Sequence, residues 1–165
     1  MTEATASALQ IHSGVVPPEW IDYNEHLMDG YYLVAFSFAT EAFLAHVGFG
    51  PAYREQTGCT IYTVEGHINF LREVPLGARL TYLTQILDYD AKRIHVIHSM
   101  VRADQQYLAA TNELMFIHVN QATHKTEPMP AAQFARVEQI AQEHARLPRP
   151  EQAGRSVGIV RRTVS

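Results

Sequence analysis

The spacing of hydrophobic and polar residues changes several times along the chain, and each change predicts a new element. A short apolar run at 11–16 favours a strand, and two prolines end it. The segment 31–47 favours a helix, and a last helix with one apolar stripe is predicted at 131–146. Between the helices, strand-like alternation recurs in four segments: 60–70, 78–89, 93–101 and 107–119.

The first predicted helix is apolar on nearly all of its sides. Within 31–47 a single carboxylate, Glu41, stands among aromatic and aliphatic residues, and a helix of this kind is buried. Asp29 is its expected N-cap, and Gly48 is expected to end it. The run is too short for a membrane span, which needs about 20 apolar residues. The next segment, 51–58, is expected to be a connection.

The four central segments are expected to pair as an antiparallel meander, because they are long and joined by short turns. In 60–70 a period of two places apolar and polar side chains on opposite faces. The apolar face is formed by Tyr62, Val64, Ile68 and Phe70, and the polar face by Glu65, His67 and Asn69. The predicted fold class is α+β, with an antiparallel sheet wrapped around one long buried helix.

Composition narrows the class of protein. The chain has 165 residues, of which 47% are hydrophobic and 18% charged, which suits one folded domain and excludes a disordered chain. The domain is expected at 11–147, between a flexible segment, 1–10, and a tail, 148–165. A net charge of −4 does not favour a nucleic-acid partner, and the single cysteine, Cys59, excludes an internal disulfide. Without a recognisable secretory signal, a cytoplasmic protein with no membrane contact is expected.

The loop before the first helix is dense in polar and aromatic residues. It reads Trp20-Ile21-Asp22-Tyr23-Asn24-Glu25-His26-Leu27-Met28. This stretch resembles the motif of hotdog-fold acyl-CoA thioesterases of the 4-hydroxybenzoyl-CoA thioesterase type, and most narrowly the thioesterases of carnitine degradation, which act on betainyl-CoA. The segments 65–73, 92–95 and 110–115 are also similar to this family. The resemblance extends from about residue 11 to residue 119, and it implies a hotdog fold and hydrolysis of a small acyl-CoA thioester.

The resemblance also implies roles for single residues of the loop. Asp22 falls on the catalytic aspartate of the family, as nucleophile or general base, and His26 falls on its histidine position. Asn24 is a further catalytic candidate. The alternative roles are stabilisation of the turn for Asn24 and a hydrogen-bonded structural histidine for His26. The chain departs from the family at Glu25, where relatives usually carry glycine, a residue that easily takes a positive φ.

Thioester hydrolysis also needs donors for the developing oxyanion. The start of a helix offers unpaired N–H groups and a positive dipole end, so the backbone amides around Asp29, Gly30 and Tyr31 are the candidates. Glu65 is the back-up base, although an ion pair with Arg72 or another cation is the more ordinary role for such a residue.

Aromatic and charged residues suggest where the two ends of a substrate bind. Trp20, Tyr23 and Glu25 form the candidate acyl pocket, because aromatic faces and a carboxylate attract a quaternary ammonium group; packing of the loop is the alternative role for the aromatic residues. The candidate cations for the phosphates of CoA are Arg72, Lys92 and Arg93.

No metal and no cofactor are expected. Nine histidines are present, but no spacing typical of zinc ligands occurs. His95 and His98 are three residues apart on a predicted strand, so they face opposite sides of the sheet.

Two alternatives to a thioesterase are a hydratase or dehydratase acting on an enoyl thioester and a non-catalytic acyl-CoA binding domain, since fold alone does not choose among them. The partner in each case is an acyl-CoA. A homodimer or homotetramer is expected, because long strands leave sheet edges that favour pairing. The resemblance further implies active sites between subunits.

Overall fold

The order of helices and strands confirms the predicted order and adds two short elements. The computed structural model describes residues 7–159. Its strands are β1 (Leu9–Val15), β2 (Cys59–Phe70), β3 (Arg79–Tyr89), β4 (Arg93–Arg102), β5 (Tyr107–Asn120) and β6 (Lys125–Thr126). Its α-helices are α1 (Asp29–His46), α2 (Pro51–Thr57) and α3 (Ala131–His144), and a 3-10 turn spans Pro18–Trp20. The additions are α2, where a connection was predicted, and β6.

The strands form one antiparallel sheet in the order β1-β3-β4-β5-β2, and β6 pairs with the end of β5. The meander is confirmed for β3, β4 and β5, but β2 pairs with β5 and not with its sequence neighbour β3. The connection after β2 explains the difference. Its Leu71 and Arg72 amides both donate to Ala109 O, at 2.9 and 3.0 Å, so the chain leaves β2 beside β5 before β3 begins on the other side of the sheet.

A β-bulge changes the facing of side chains in β2. Thr63 lies opposite Phe116 and Glu65 lies opposite Met115, so Val64 is the extra residue. Because a bulge shifts the alternation by one residue, Tyr62 lies on the face of Glu65 and His67. The prediction that Tyr62 and Val64 share a face with the later apolar residues is therefore wrong, and both are exposed.

The sheet curls around one side of α1. The buried positions of α1 follow helical spacing: Tyr32, Ala35, Phe36, Ala39 and Phe43. The opposite side carries apolar residues that are exposed, with Leu33 at 54%, Val34 at 41% and Phe38 at 44%. The α+β class with a hotdog arrangement is confirmed, but burial on all sides of the helix is wrong for the single chain, because the sheet covers only one of them.

His98 joins α1 to the centre of the sheet. Its ring is fully buried, with Nδ1 2.8 Å from Thr84 Oγ1 on β3 and Nε2 3.1 Å from Thr40 Oγ1 on α1. His95 lies on the other face of β4, where its Nε2 is 2.7 Å from Glu113 Oε1. The prediction that these two histidines face opposite sides is confirmed.

The two ends of the described chain are attached to the sheet. Strand β1 begins at Leu9, inside the segment predicted to be flexible, whose residues 1–6 lie outside the described residues. The tail runs past Gly154, whose N–H donates to Glu113 Oε2 at 2.8 Å, and its residues 160–165 are likewise outside the description. Within residues 7–159 no single helix has the length and hydropathy of a membrane span; α1 and α2 meet that measure only as a pair bent by 58°.

Candidate active site

The loop before α1 closes on itself around Asp22. Asp22 N–H donates to His26 O at 3.0 Å, and Glu25 N–H donates to Asp22 O at 3.1 Å. Glu25 completes this turn with a φ of 65°, the left-handed region that glycine adopts most easily. The chain thus makes the turn with a residue that carries a Cβ, at the cost of backbone strain.

Asn24 holds the carboxylate of Asp22. Its N–H donates to Asp22 Oδ1 at 2.8 Å, and its side-chain amide donates to Oδ2 at 3.3 Å. Desolvation raises the pKa of Asp22, but hydrogen bonds, above all those from Asn24, outweigh it and leave that pKa below its ordinary value. Asp22 is therefore ionised at neutral pH, the form that a nucleophile or a general base requires.

An open cavity of about 350 Å³ lies beside Asp22, between the loop and the end of β2. Its lining residues are Asp22, His26, Leu27, Asp29, Tyr32, Phe70, Leu71, Arg72 and Glu73. Four of them, Asp22, His26, Asp29 and Arg72, are sequence-predicted site residues. Glu73 is not, and its Oε2 lies 3.4 Å from His26 Nε2. Only its position beside Arg72 could have indicated it.

Hydrogen bonds fix the wall of the cavity that follows β2. Leu27 N–H donates to Val74 O at 2.8 Å, which ties the wall to the loop that carries Asp22. From helix α1, Tyr32 OH donates to Arg72 O at 3.4 Å. Burial raises the pKa of Tyr32 to about 12, so its hydroxyl stays protonated and remains a donor.

The start of α1 offers fewer free amides than expected. Asp29 is the first residue of the helix and Met28 is the N-cap, so the prediction of Asp29 as N-cap is wrong. Gly30 N–H donates to Asp29 Oδ1 at 2.8 Å, and Tyr31 N–H donates to Met28 O at 2.9 Å. Asp29 N–H has no acceptor among residues 7–159 and is the amide of the three that is available to a ligand.

The predicted acyl pocket is not assembled as expected. Tyr23 is 94% exposed and Glu25 is exposed, and neither lines the cavity beside Asp22. Trp20 packs flat against Tyr31 and Phe38, with ring centroids 5.5 and 6.5 Å apart. This stack corresponds to the alternative role of loop packing, and it borders an apolar groove of about 330 Å³ between α1 and β1.

Glu65 lies apart from Asp22, on the outer face of the sheet. It lines a groove of about 300 Å³ together with His67, His95 and Glu113. The expected ion pair of Glu65 with Arg72 or another cation is not formed among the described residues. No group of three metal-ligating side chains suited to an ion occurs in the part of the chain that the structure covers.

The three predicted CoA-binding cations do not form one cluster. Arg93 and Lys92 lie at the turn between β3 and β4, where Arg93 Nε donates to Asp90 Oδ2 at 2.7 Å. Arg72 lies beside Ala109, at the opposite end of the sheet. Since Arg93 pairs with Ile117 on β5, the two arginines are separated by roughly 25 Å of strand. Only Arg72 is in the cavity of Asp22.

A family model and three known proteins each match most of this chain. The family model of the thioesterase-like superfamily matches residues 16–140. The betainyl-CoA thioesterase of Pseudomonas aeruginosa is 40% identical over 154 residues, which are 93% of this chain and 97% of that protein. The L-carnitine dehydrogenase/betainyl-CoA thioesterase of Agrobacterium fabrum is 39% identical over 93% of this chain, which spans 31% of that longer protein. A Staphylococcus aureus protein solved in complex with CoA is 31% identical, with a TM-score of 0.87 over 96% of this chain and 100% of the other.

Proposed function

Because this chain belongs to the thioesterase-like superfamily and is an acyl-CoA thioesterase, we propose that it hydrolyses betainyl-CoA to betaine and CoA, with Asp22 as the attacking or water-activating carboxylate. The observation that carries the proposal is the cavity at the start of α1, which the ionised Asp22 shares with His26. The alternatives of an enoyl-thioester hydratase and a non-catalytic binding domain have no comparable support.

Asp22 can act in either of two ways at the thioester carbonyl carbon. As a general base it removes a proton from water while the water oxygen attacks. As a nucleophile it forms an acyl anhydride that water then cleaves. In both routes the C–S bond breaks and the CoA thiolate leaves and takes up a proton. His26, next to Asp22 and near Glu73, is the group that we assign to proton transfer in the cavity.

Asp29 N–H is the donor that we assign to the thioester oxygen. The amides of Gly30 and Tyr31 already have acceptors, whereas the amide of Asp29 stands at the positive end of the α1 dipole. Loss of one oxyanion donor typically lowers turnover by about 10²–10³.

The charge of the cavity supports a cationic acyl group. Three carboxylates, those of Asp22, Asp29 and Glu73, line it with a single guanidinium. The rings of Tyr32 and Phe70 meet edge to face in the same cavity, with centroids 5.1 Å apart, and aromatic faces attract quaternary ammonium groups. A trimethylammonium group such as that of betaine fits this combination better than a neutral acyl chain.

A panel of CoA thioesters tests this function. The purified protein is incubated with betainyl-CoA, acetyl-CoA and an enoyl-CoA in the presence of a thiol reagent. We expect release of free thiol, with the highest kcat/KM for betainyl-CoA. A hydrated product without free thiol, or binding without turnover, would contradict the proposal, and faster turnover of acetyl-CoA would contradict its substrate.

A further inference from the structure

Tyr107, the first residue of β5, contacts two consecutive residues in the wall of the catalytic cavity. The guanidinium carbon of Arg72 lies 4.0 Å from the centroid of the Tyr107 ring. The hydroxyl of the same side chain donates to Glu73 O at 2.7 Å. One tyrosine thus sets both the direction of the Arg72 side chain and the position of the backbone that follows it.

Tyr107 is itself held in place by a second arginine. Arg102 lies opposite Tyr107 in the β4–β5 register, and its Nη1 donates to Tyr107 OH at 3.4 Å. Arg102 Nε and Nη2 donate to the two carboxylate oxygens of Asp104, at 2.9 and 3.0 Å. The hydrogen bonds that Arg102 donates to Asp104 and to Tyr107 OH raise the pKa of Arg102. The side chain is only 16% exposed, so Arg102 is engaged in the protein and not free for a ligand.

Arg72 differs from Arg102 in both exposure and partners. It is exposed, and no carboxylate lies within ion-pair distance of it among residues 7–159. Its guanidinium carbon lies over the Tyr107 ring, and within residues 7–159 none of its N–H donors has a hydrogen-bond acceptor. This planar fork matches the oxygens of a phosphate group.

We propose that Tyr107 is a positioning residue that presents the guanidinium of Arg72 to the phosphate groups of CoA, an inference that rests on the proposed function for the identity of the ligand. Arg72 is exposed and lines the same cavity as Asp22, so its guanidinium can reach the solvent-facing part of a thioester bound there. Without the ring, the flexible side chain of Arg72 loses its direction, and CoA binding loses the benefit of an ordered cation.

Calorimetric titration with CoA tests the inference without any need for turnover. The variants are Arg72→Ala, Tyr107→Leu, Tyr107→Phe and the double variant Arg72→Ala/Tyr107→Leu. Arg54→Ala is the matched control, because Arg54 is exposed on α2, at the far end of β2 from Arg72. Thermal melting of each variant confirms that it is folded.

We expect Arg72→Ala to raise the Kd of CoA by about tenfold or more, as for a charge-assisted hydrogen bond. Tyr107→Leu should have a similar effect, and the double variant should be no worse than either single change. Both single changes should also weaken the salt dependence of CoA binding. Tyr107→Phe keeps the ring and should bind CoA within about twofold of the wild type, as should Arg54→Ala.

Three results would overturn the inference. They are an unchanged Kd in Tyr107→Leu, effects of Arg72→Ala and Tyr107→Leu that multiply in the double variant, and a salt dependence of CoA binding that neither change alters. Each is separate from failure of the proposed function, which the thiol-release assay detects in the wild-type protein.

Discussion

Glu25 occupies left-handed backbone, with a φ of 65°, in the loop that carries Asp22. A residue with a Cβ is strained there by roughly 1 kcal/mol, whereas glycine is not. Since Glu25 is exposed, its side chain contributes little packing that would be lost on substitution.

Glu25→Gly should therefore raise the free energy of unfolding by up to about 1 kcal/mol. The greater conformational entropy of glycine in the unfolded chain offsets part of this gain. Urea unfolding measures the change. The matched control is Glu55→Gly within helix α2, which should lower the free energy of unfolding by about 1 kcal/mol. Destabilisation of similar size by both changes would show that the turn does not need a left-handed residue at position 25.

Local sequence was enough to indicate Asp22 and His26, because both belong to one continuous motif. Glu73 and Tyr107 could not be found in this way. The place of Glu73 in the cavity and the contact of Tyr107 with the cavity wall depend on the pairing of β2 with β5 and on the hydrogen bond from Tyr107 OH to Glu73 O. Neither contact leaves a signal in residue spacing. The sequence likewise did not show that the Asp29 amide alone is available, because this depends on the hydrogen bonds of the Gly30 and Tyr31 amides.

Helix α1 is attached to the sheet through a polar contact at its centre. His98 lies between Thr40 of α1 and Thr84 of β3, and burial lowers its pKa to about 3. The unfolded chain binds a proton at a histidine near pH 6.5, whereas the folded chain keeps His98 neutral. The stability that depends on neutral His98 is therefore complete above pH 6.5 and is lost as the pH falls from 6.5 towards 3.

A comparison of wild type with His98→Gln isolates this contribution, because glutamine does not titrate. The difference in free energy of unfolding should be constant between pH 7 and 8. Below pH 6.5 the wild type should lose stability relative to the variant by about 1.4 kcal/mol for each pH unit. Chemical unfolding at several pH values gives the difference, and a constant difference from pH 8 to pH 5 would contradict the assigned burial. Burial also lowers the pKa of His144. Because both proteins contain His144, its contribution to the free energy of unfolding cancels in the comparison.

The long elements were predictable because their sequence patterns extend over many residues. The apolar run of α1 and the alternation in β3, β4 and β5 each persist for ten residues or more. Helix α2 has only seven residues, and the β2 bulge at Val64 breaks the alternation after a few positions. Short elements and bulges depend on neighbouring strands, which the local pattern does not contain.

Apolar residues remain exposed on two parts of the whole molecule. They are Leu33, Val34 and Phe38 on α1, and Tyr62 and Val64 on β2. Among the described strands, β2 pairs on one side only, so its other edge is open. The sequence of α1 predicted burial on every side, and we propose that a second copy of the chain supplies the cover that a single sheet does not.

Sedimentation velocity should therefore show a homodimer or homotetramer at micromolar concentration. Val64→Lys places a charge on the open edge of β2 and should increase the fraction of monomer. Val157→Lys is the matched control, since Val157 is 95% exposed in the C-terminal segment and lies outside the apolar surface of α1 and β2. A wild-type protein that sediments as a monomer would contradict the proposed oligomer.

The most direct test of the account is thiol release from betainyl-CoA by the Asp22→Asn variant. Asparagine keeps the shape of the side chain and removes its charge, so turnover should fall by about 10²–10⁴ while CoA binding and the melting temperature stay close to those of the wild type. Glu65→Gln, in the groove on the outer face of the sheet, should retain turnover. Near wild-type turnover by Asp22→Asn, or its loss in Glu65→Gln alone, would contradict the assignment of Asp22 as the catalytic carboxylate.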